Sequence, residues 1–255
     1  MKATPEMFGN IRAGGHRVTA QNRYYFCETF NKHAPQFGYD LPHRLAQIIG
    51  QVGHESMGLR YTYEIWAPTR AQRGYEGRKD LGNTQPGDGR RFKGHLEIQV
   101  TGRENHRKFT RWLWDKISKA FPDFEKNPEI LESTSALKYL GLSTIWYFST
   151  RVPTALMDKG DYRGVTKRIN GGYNGLDDRF ERYGIAATEI LGFPSVKAFQ
   201  EAKGLKADGV VGPNTFNAMH SALKALAPSQ RQSGLAALVT AILALLRNLT
   251  WKRKS

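Results

Sequence analysis

The sequence has one cysteine, no recognisable export signal and no obvious metal-binding motif. Cys27 has no second cysteine with which to form an intramolecular disulfide, as is usual for proteins that fold in a reducing cytoplasm. The first thirty residues lack a basic segment followed by an apolar run, so we expect no signal peptide. The seven histidines show no ligand spacing such as HxxxH, and we expect neither a metal nor another cofactor.

Acidic residues are few relative to basic ones. The 255 residues include 38 Lys and Arg but only 23 Asp and Glu, which gives a formal net charge of +15. Such a field attracts polyanions: nucleic acid, anionic lipid or an acidic cell-wall polymer. Because no nucleic-acid motif accompanies the charge, we expect no nucleic-acid partner. Hydrophobic residues make up 40% of the chain, enough for a packed core in one large domain with appendages.

Residues 41–57 form the segment around which the other motifs are arranged. Apolar side chains recur there at helical spacing: Leu45, Ile48, Ile49 and Val52. The pattern predicts an amphipathic helix that Asp40 caps, that holds Pro42 in its first turn and that ends at Gly58. Glu55 falls on the apolar stripe of this helix, where desolvation is expected to raise its pKa and favour the protonated acid.

Glu64 lies nine residues after Glu55, beyond the expected helix end and among polar residues. We expect its carboxylate to stay ionised. Two carboxyl groups whose surroundings separate their pKa values are typical of a general acid and a general base. The alternative is structural: Glu55 pairs with an arginine and Glu64 is a surface loop residue, since charged residues usually have structural roles.

The remaining pattern of the first 192 residues is mainly helical. Apolar periodicity predicts further helices at residues 22–30, 104–121, 129–150, 161–169 and 177–191. Residues 66–95 are rich in glycine and proline and predict a long loop. Residues 96–101 alternate apolar and polar, which predicts a short half-buried strand with Glu97, Gln99 and Thr101 on one face. We expect that polar face to line a cleft.

Five motifs connect these elements to a known family. They are Gly53-His54-Glu55-Ser56, Glu64-Ile65-Trp66, the sequence GRKDLGN at 77–83, QVTGR at 99–103 and RINGG at 168–172. In this order they make residues 40–190 resemble the family 19 glycoside hydrolases, which comprise chitinases and related phage endolysins. The tract at 85–89 is closer to the phage branch. The resemblance implies a mainly α, lysozyme-like, two-lobed catalytic domain over residues 1–192, with a short β element and a cleft between the lobes.

The resemblance also implies roles for individual residues. Glu55 would be the general acid, Glu64 the general base, and Thr101 would help hold the attacking water. Four residues match substrate-contacting positions: His54, Gln99, Asn105 and Asn170. A family arginine is expected at Arg179 or Arg182.

The chain departs from the family pattern just before the predicted strand. Lys93-Gly94-His95-Leu96 stands where the family has Lys/Arg-Gly-Arg-Gly, and Glu97 replaces an apolar residue or proline. Glu97 is expected to be either a third carboxylate of the cleft, in contact with substrate, or the partner of an arginine.

A second unit is predicted at residues 193–227. Residues 195–226 resemble the C-terminal half of a peptidoglycan-binding module, through Val196-Lys197-Ala198-Phe199-Gln200 and the sequence DGVVGPNT at 208–215. The earlier helices of that module are missing, so this partial unit is expected either to bind sugar or only to pack against the catalytic domain.

The last segments predict a linker and an apolar helix. Residues 228–234 are polar, and residues 235–246 are apolar on all sides over about three helical turns. The basic residues that follow are Arg247, Lys252, Arg253 and Lys254, beside Trp251. At roughly 18 Å the helix is too short for a clean bilayer span. The segment 235–255 is therefore expected either to contact anionic membrane lipid or the outer membrane, or to pack on its own domain or on a second copy.

These resemblances imply a phage-type endolysin that hydrolyses β-1,4 bonds of peptidoglycan by an inverting acid/base mechanism. One alternative is a chitinase acting on GlcNAc polymers; another is a non-catalytic cell-wall-binding protein. The basic charge favours acidic peptidoglycan over neutral chitin. We expect a monomer, made in the host cytoplasm, that reaches the wall in the periplasm after a phage partner permeabilises the membrane.

Overall fold

A computed structural model describes residues 1–10 and 16–227 of the chain. Its α-helices are α1 (His16–His33), α2 (Pro42–Glu55), α3 (Arg70–Arg73), α4 (Asp88–Arg91), α5 (Arg103–Lys116), α6 (Leu142–Arg151), α7 (Thr154–Lys159), α8 (Tyr162–Asn170), α9 (Leu176–Leu191), α10 (Val196–Ala202) and α11 (Pro213–Ala225). Short 3₁₀ helices lie at Pro5–Phe8, Ala34–Phe37, Lys79–Leu81, Pro128–Glu132 and Thr134–Tyr139. β structure in this part of the chain consists of two isolated antiparallel bridges. The mainly α fold class predicted from the sequence is confirmed.

Helix α2 lies at the centre of the core and packs along α9. Leu45, Ile48 and Val52 on its apolar stripe are fully buried, and each such side chain contributes about 1.5–3 kcal/mol of burial free energy. The helices approach closely at Gly50, where an added Cβ would lie 2.4 Å from the Tyr162 hydroxyl oxygen. The glycine therefore permits the contact between α2 and the layer formed by α8 and α9.

The ends of α2 differ in part from the sequence expectation. Asp40 does not cap the helix: Leu41 occupies the N-cap position, without a side-chain hydrogen bond, and Pro42 begins the first turn. The C-terminal stop was correctly placed. Gly58 has φ +70°, and its amide donates to the Gly53 carbonyl at 2.7 Å, so the backbone turns away just after Glu55.

Residues 96–101 form a tight turn, and the strand prediction is wrong. Leu96 and Gln99 have φ values of +61° and +56°, so the chain reverses and the amides and carbonyls of His95 and Val100 pair at 3.1 and 2.7 Å. A backbone that reverses loses the two-residue period of a strand. Glu97 consequently points away from the face that carries Gln99.

The Glu97 side chain is fully buried and lies against the residues at the start of α6. Its Oε1 accepts hydrogen bonds from the Gly141 amide at 2.9 Å and from the Thr144 hydroxyl at 2.7 Å. Burial raises the pKa of this carboxyl group. Both sequence-based interpretations of Glu97 are therefore wrong, because it neither lines the cleft nor pairs with an arginine; it joins the turn to α6.

The other long helical predictions are shorter or broken in the structure. The stretch predicted at 104–121 ends as α5 at Lys116, and the stretch predicted at 129–150 is divided into two 3₁₀ helices followed by α6. The predicted loop at 66–95 contains α3 and α4. By contrast, the helix predicted at 22–30 is longer in the structure, where it is α1 (His16–His33).

The C-terminal helices α10 and α11 pack directly on the rest of the molecule. Phe216 of α11 lies 4.7 Å from Tyr183 and 5.6 Å from Tyr162 between ring centroids, and Met219 and Leu223 are fully buried. Among the described residues no helix has the length and apolar composition needed to cross a bilayer. The predicted linker at 228–234 and the predicted tail at 235–255 lie outside the described residues.

Candidate active site

Glu55 is the last residue of α2, and an arginine of α9 contacts its carboxylate. Its Oε1 lies 2.5 Å from Nη2 of Arg179, which is fully buried. Arg179 also donates to the side-chain oxygen of Gln51 at 2.5 Å and to the Asn174 carbonyl at 3.2 Å. Since only 23% of the Glu55 side chain is exposed, the packing of α2 on α9 determines where this carboxylate meets solvent.

The structure distinguishes Arg179 from Arg182, the two positions at which the family arginine is expected. Arg179 contacts Glu55, whereas Arg182 donates to Asp178 at 2.6 Å. Asp178 also contacts Nδ1 of His54 at 2.7 Å. Burial favours the protonated form of Asp178, but hydrogen bonds from Arg182 and His54 outweigh it and lower its pKa. His54 is thus fixed beside Glu55 with 27% of its side chain exposed.

Glu64 is held by a different kind of environment. Its Oε1 accepts from the Gln72 amide at 3.0 Å and from the Tyr75 hydroxyl at 3.5 Å, and its Oε2 accepts from the Gly94 backbone amide at 3.1 Å. Gln72 is in turn fixed by a capping box with Thr69 at the start of α3. Burial raises the pKa of Tyr75, and the charge of Glu64 raises it further. Glu64 is therefore an anchored, half-buried carboxylate.

The turn that follows Gly94 and the start of α5 carry three further predicted site residues. The Gln99 side chain covers Gly94 so closely that a Cβ on Gly94 would lie 2.1 Å from its Oε1. The Thr101 hydroxyl donates to the Gln99 carbonyl at 2.9 Å, and the Asn105 side-chain amide donates to the Thr101 carbonyl at 2.7 Å. Gln99, Thr101 and Asn105 are each partly exposed, so they form one polar wall.

Two residues of α6 complete this wall. Arg151 donates to Asn105 Oδ1 at 2.7 Å, and its guanidinium stacks over the Tyr147 ring, 4.4 Å from the centroid. Burial raises the pKa of Tyr147, Arg151 lowers it, and the charge of Glu55 raises it again. The contacts thus run from Glu64 through the turn, α5 and α6 to the vicinity of Glu55.

Asn170 lies at the end of α8, next to this wall. It is exposed, and the neighbouring Ile169 carbonyl accepts from the Tyr147 hydroxyl at 3.2 Å. Gly171 ends α8 with φ +77°. Every sequence-predicted site residue except Glu97 therefore belongs to one of four groups: Glu55 with His54, Glu64 with its partners, the polar wall, or the end of α8.

Sequence reasoning missed five residues that support the site. Thr69 and Gln72 fit the capping-box spacing, so that part of the Glu64 environment was readable from the sequence. Tyr147 and Arg151 are four residues apart on α6, which is consistent with a shared helix face, but the same pattern describes core packing. Asp178 had no local signal, because it lies 124 residues from His54.

The chain is similar to known proteins in sequence and in fold. A family model described as a putative peptidoglycan binding domain matches residues 195–219. A glycosyl hydrolase family 19 domain-containing protein of Haemophilus influenzae is 28% identical, with 54% of this chain and 76% of that protein covered. The crystal structure of chitinase C from Streptomyces griseus aligns with TM-score 0.51 and 17% identity, over 72% of this chain and 96% of that one. A second bacterial family 19 chitinase aligns with TM-score 0.45 and 19% identity, over 73% and 91% of the two chains.

The chain is homologous to a protein that contains a glycosyl hydrolase family 19 domain. It is accordingly an enzyme of the glycoside hydrolase class, and the likeness to chitinase C shows that it has the corresponding fold. In this family 19 homologue, a groove of about 1190 Å³ lies away from the two carboxylates, between α9, the N-terminal segment and the C-terminal unit. Six of its lining residues fall within the matched peptidoglycan-binding region: Ser195, Val196, Lys197, Gly209, Val210 and Val211.

Proposed function

We propose that this glycoside hydrolase cleaves β-1,4 bonds of bacterial peptidoglycan by a single displacement, with Glu55 as general acid and Glu64 as general base. The observation that carries the proposal is the polar wall that runs from Glu64 to the vicinity of Glu55, two partly exposed carboxylates with separate partners. A single displacement requires roughly 6.5–9.5 Å between the two carboxyl groups, so that a water fits between the base and the sugar.

In the proposed mechanism Glu55 protonates the leaving glycosidic oxygen. Arg179 engages one oxygen of Glu55, which orients the other toward the bond. Glu64 takes a proton from the attacking water on the opposite face of the sugar, and Thr101 and Gln99 hold that water against the turn. His54, Asn105 and Asn170 contact the sugar; they are placed here as binding residues.

Charge and the C-terminal unit favour peptidoglycan as the substrate. The net charge of +15 attracts an acidic polymer, and the peptidoglycan-binding match borders the groove beside α9. A glycan strand bound in that groove would stay close to the catalytic domain, because α11 of the C-terminal unit packs against α8 and α9 of that domain. Mass spectrometry of fragments released from purified peptidoglycan tests the substrate, and the identity of the new reducing sugar shows which bond is cut.

Stereochemistry tests the mechanism separately. Proton NMR of the first product should show an inverted anomeric configuration. Retention would exclude the single displacement even if peptidoglycan is cleaved.

A second candidate is hydrolysis of chitin, favoured by the fold likeness to chitinase C. The same cleft chemistry would serve both polymers. Matched assays on soluble chitin oligomers and on peptidoglycan fragments distinguish them: higher kcat/KM on chitin oligomers would contradict the peptidoglycan proposal.

The biological setting is also part of the proposal: an endolysin of phage type, made in the cytoplasm, that reaches the wall after the membrane is permeabilised. The tail at 235–255 would contact anionic lipid. A variant truncated after residue 233 should keep its activity on naked peptidoglycan but lose dye release from anionic vesicles. Unchanged leakage together with a lower melting temperature would instead indicate a structural helix.

A further inference from the structure

Behind the turn that holds Glu64 lies a buried array of histidines that the proposed mechanism does not use. His95 and His106 are both fully buried, and Nδ1 of His95 lies 2.8 Å from Nε2 of His106. The array ends at two acceptors: Nδ1 of His106 is 2.9 Å from the Gly102 carbonyl, and Nε2 of His95 is 3.3 Å from Oε1 of Glu132.

The protons in this array can be counted. Three contacts connect the Gly102 carbonyl, the two rings and the carboxylate, and each contact needs one hydrogen between its two atoms. Two neutral imidazoles supply only two N–H groups. Glu132 does not supply the third, because hydrogen bonds from His95 and Lys93 lower its pKa to about 2. With both histidines neutral, the array is therefore one proton short.

The missing proton belongs on His95. The Gly102 carbonyl can only accept, so His106 donates from Nδ1 and accepts at Nε2. Burial lowers the pKa of His106 to about 3, which keeps that ring neutral. His95 must then donate from Nδ1, and it can satisfy Glu132 only if Nε2 also carries a hydrogen. Without it, the Nε2 lone pair faces the carboxylate.

The array is connected to the proposed base through one glycine. Gly94, which precedes His95, donates to Oε2 of Glu64 at 3.1 Å and accepts from the Glu64 amide at 2.7 Å. Lys93, on the other side of Gly94, also contacts Glu132. Both neighbours of the glycine are thus tied to one carboxylate on the 3₁₀ helix Pro128–Glu132.

We propose that uptake of one proton by His95 completes this array and fixes the turn that positions Glu64, so that His95 and Glu132 are positioning residues whose effect depends on pH. The charged groups that face His95 are Lys93, Glu132 and Glu64. Burial lowers the pKa of His95, while Glu132 raises it, and the net direction is downward. The turn is therefore most tightly held in mildly acidic solution and loosens as the pH rises toward neutrality. The inference rests on Glu64 as the base only for its effect on catalysis.

Substitution of Glu132 by glutamine tests the proton count. Both His95 and Lys93 contact Oε1 of Glu132, so in Glu132→Gln the amide nitrogen donates to neutral His95 while the amide oxygen turns toward Lys93. The array is then complete without the third proton. The wild-type pH profile of kcat should show a histidine step that is absent in Glu132→Gln. Glu129→Gln, an exposed position on the same 3₁₀ helix, is the matched control and should keep the step. Identical profiles for wild type and Glu132→Gln would overturn the proposal.

NMR of the full-length wild-type protein provides a readout that needs neither activity nor a variant. The His95 ring nitrogens should titrate to the imidazolium form at a pH below the usual histidine range, because burial lowers the pKa of His95, while the His106 ring stays neutral. The Gly94 amide resonance should move with the same midpoint. A His95 ring that stays neutral, or a Gly94 amide that does not follow it, would refute the inference. If Glu64→Gln proved active but Gly94 still followed His95, the proposed base would be wrong and the switch correct.

Discussion

The two proposed catalytic carboxylates are held by opposite means. Glu55 ends a regular helix, and a fully buried arginine from the adjacent helix contacts it. Glu64 lies in irregular backbone, and a backbone amide and two polar side chains contact it. The first arrangement depends on helix packing. The second depends on a turn with positive φ angles at Leu96 and Gln99. The buried pair His95 and His106 lies behind this turn.

The comparison is tested most strongly by removing each carboxylate in turn. We expect Glu55→Gln and Glu64→Gln each to lower peptidoglycan hydrolysis by about 10²–10⁴-fold, since each removes one partner of general acid/base catalysis. Circular dichroism should show both variants folded. Near-wild-type turnover by either one would remove that residue from its proposed role.

Replacing the buried arginine that contacts Glu55 should lower the free energy of unfolding more than replacing a partly exposed arginine on the same helix. Arg179→Ala breaks a buried pair and should lower the free energy of unfolding by about 3–5 kcal/mol, as measured by urea denaturation. Arg182→Ala is the control, because that arginine is partly exposed, and its loss should cost clearly less. Equal losses of unfolding free energy in the two variants would contradict a larger contribution from the buried Arg179.

The Glu64 side should instead be sensitive to a single methyl group. In Gly94→Ala the new Cβ would meet the Gln99 side chain at 2.1 Å, so Gln99 or the turn must move. A shift of about 1 Å at a reacting group can cost 10²-fold in rate, and we expect a loss of up to about that size in kcat. Gly212→Ala, where the new Cβ would meet nothing within 4 Å, should leave kcat unchanged.

The smallest expected effect concerns the buried acid that links the turn to α6. Because burial raises the folded-state pKa of Glu97, the folded protein holds this proton to higher pH than the unfolded chain does. Wild-type stability should therefore decline as the pH rises above the unfolded pKa. Glu97→Gln keeps an acceptor oxygen for Thr144 and removes the titration, so its melting temperature should gain on wild type between pH 5 and 8. A constant difference across that range would contradict the raised pKa.

Much of the Glu55 side could be predicted from the sequence alone. The apolar period of α2, its stop at Gly58 and the position of Glu55 on the buried face follow from local spacing, because helix periodicity is a property of a single segment. The family motifs pointed to Glu64, Thr101 and Asn105. In each case the informative residues are close together in the chain.

The tertiary structure alone decided the partners of those residues. Arg179 and Asp178 reach Glu55 and His54 across 124 residues, and no local pattern distinguishes Arg179 from Arg182, which lies one helical turn further on. The alternation at 96–101 indicated a strand, but positive φ angles at Leu96 and Gln99 turned it into a reversal and buried Glu97. Side-chain alternation reports the period of a segment and not its backbone curvature, which depends on what packs around it.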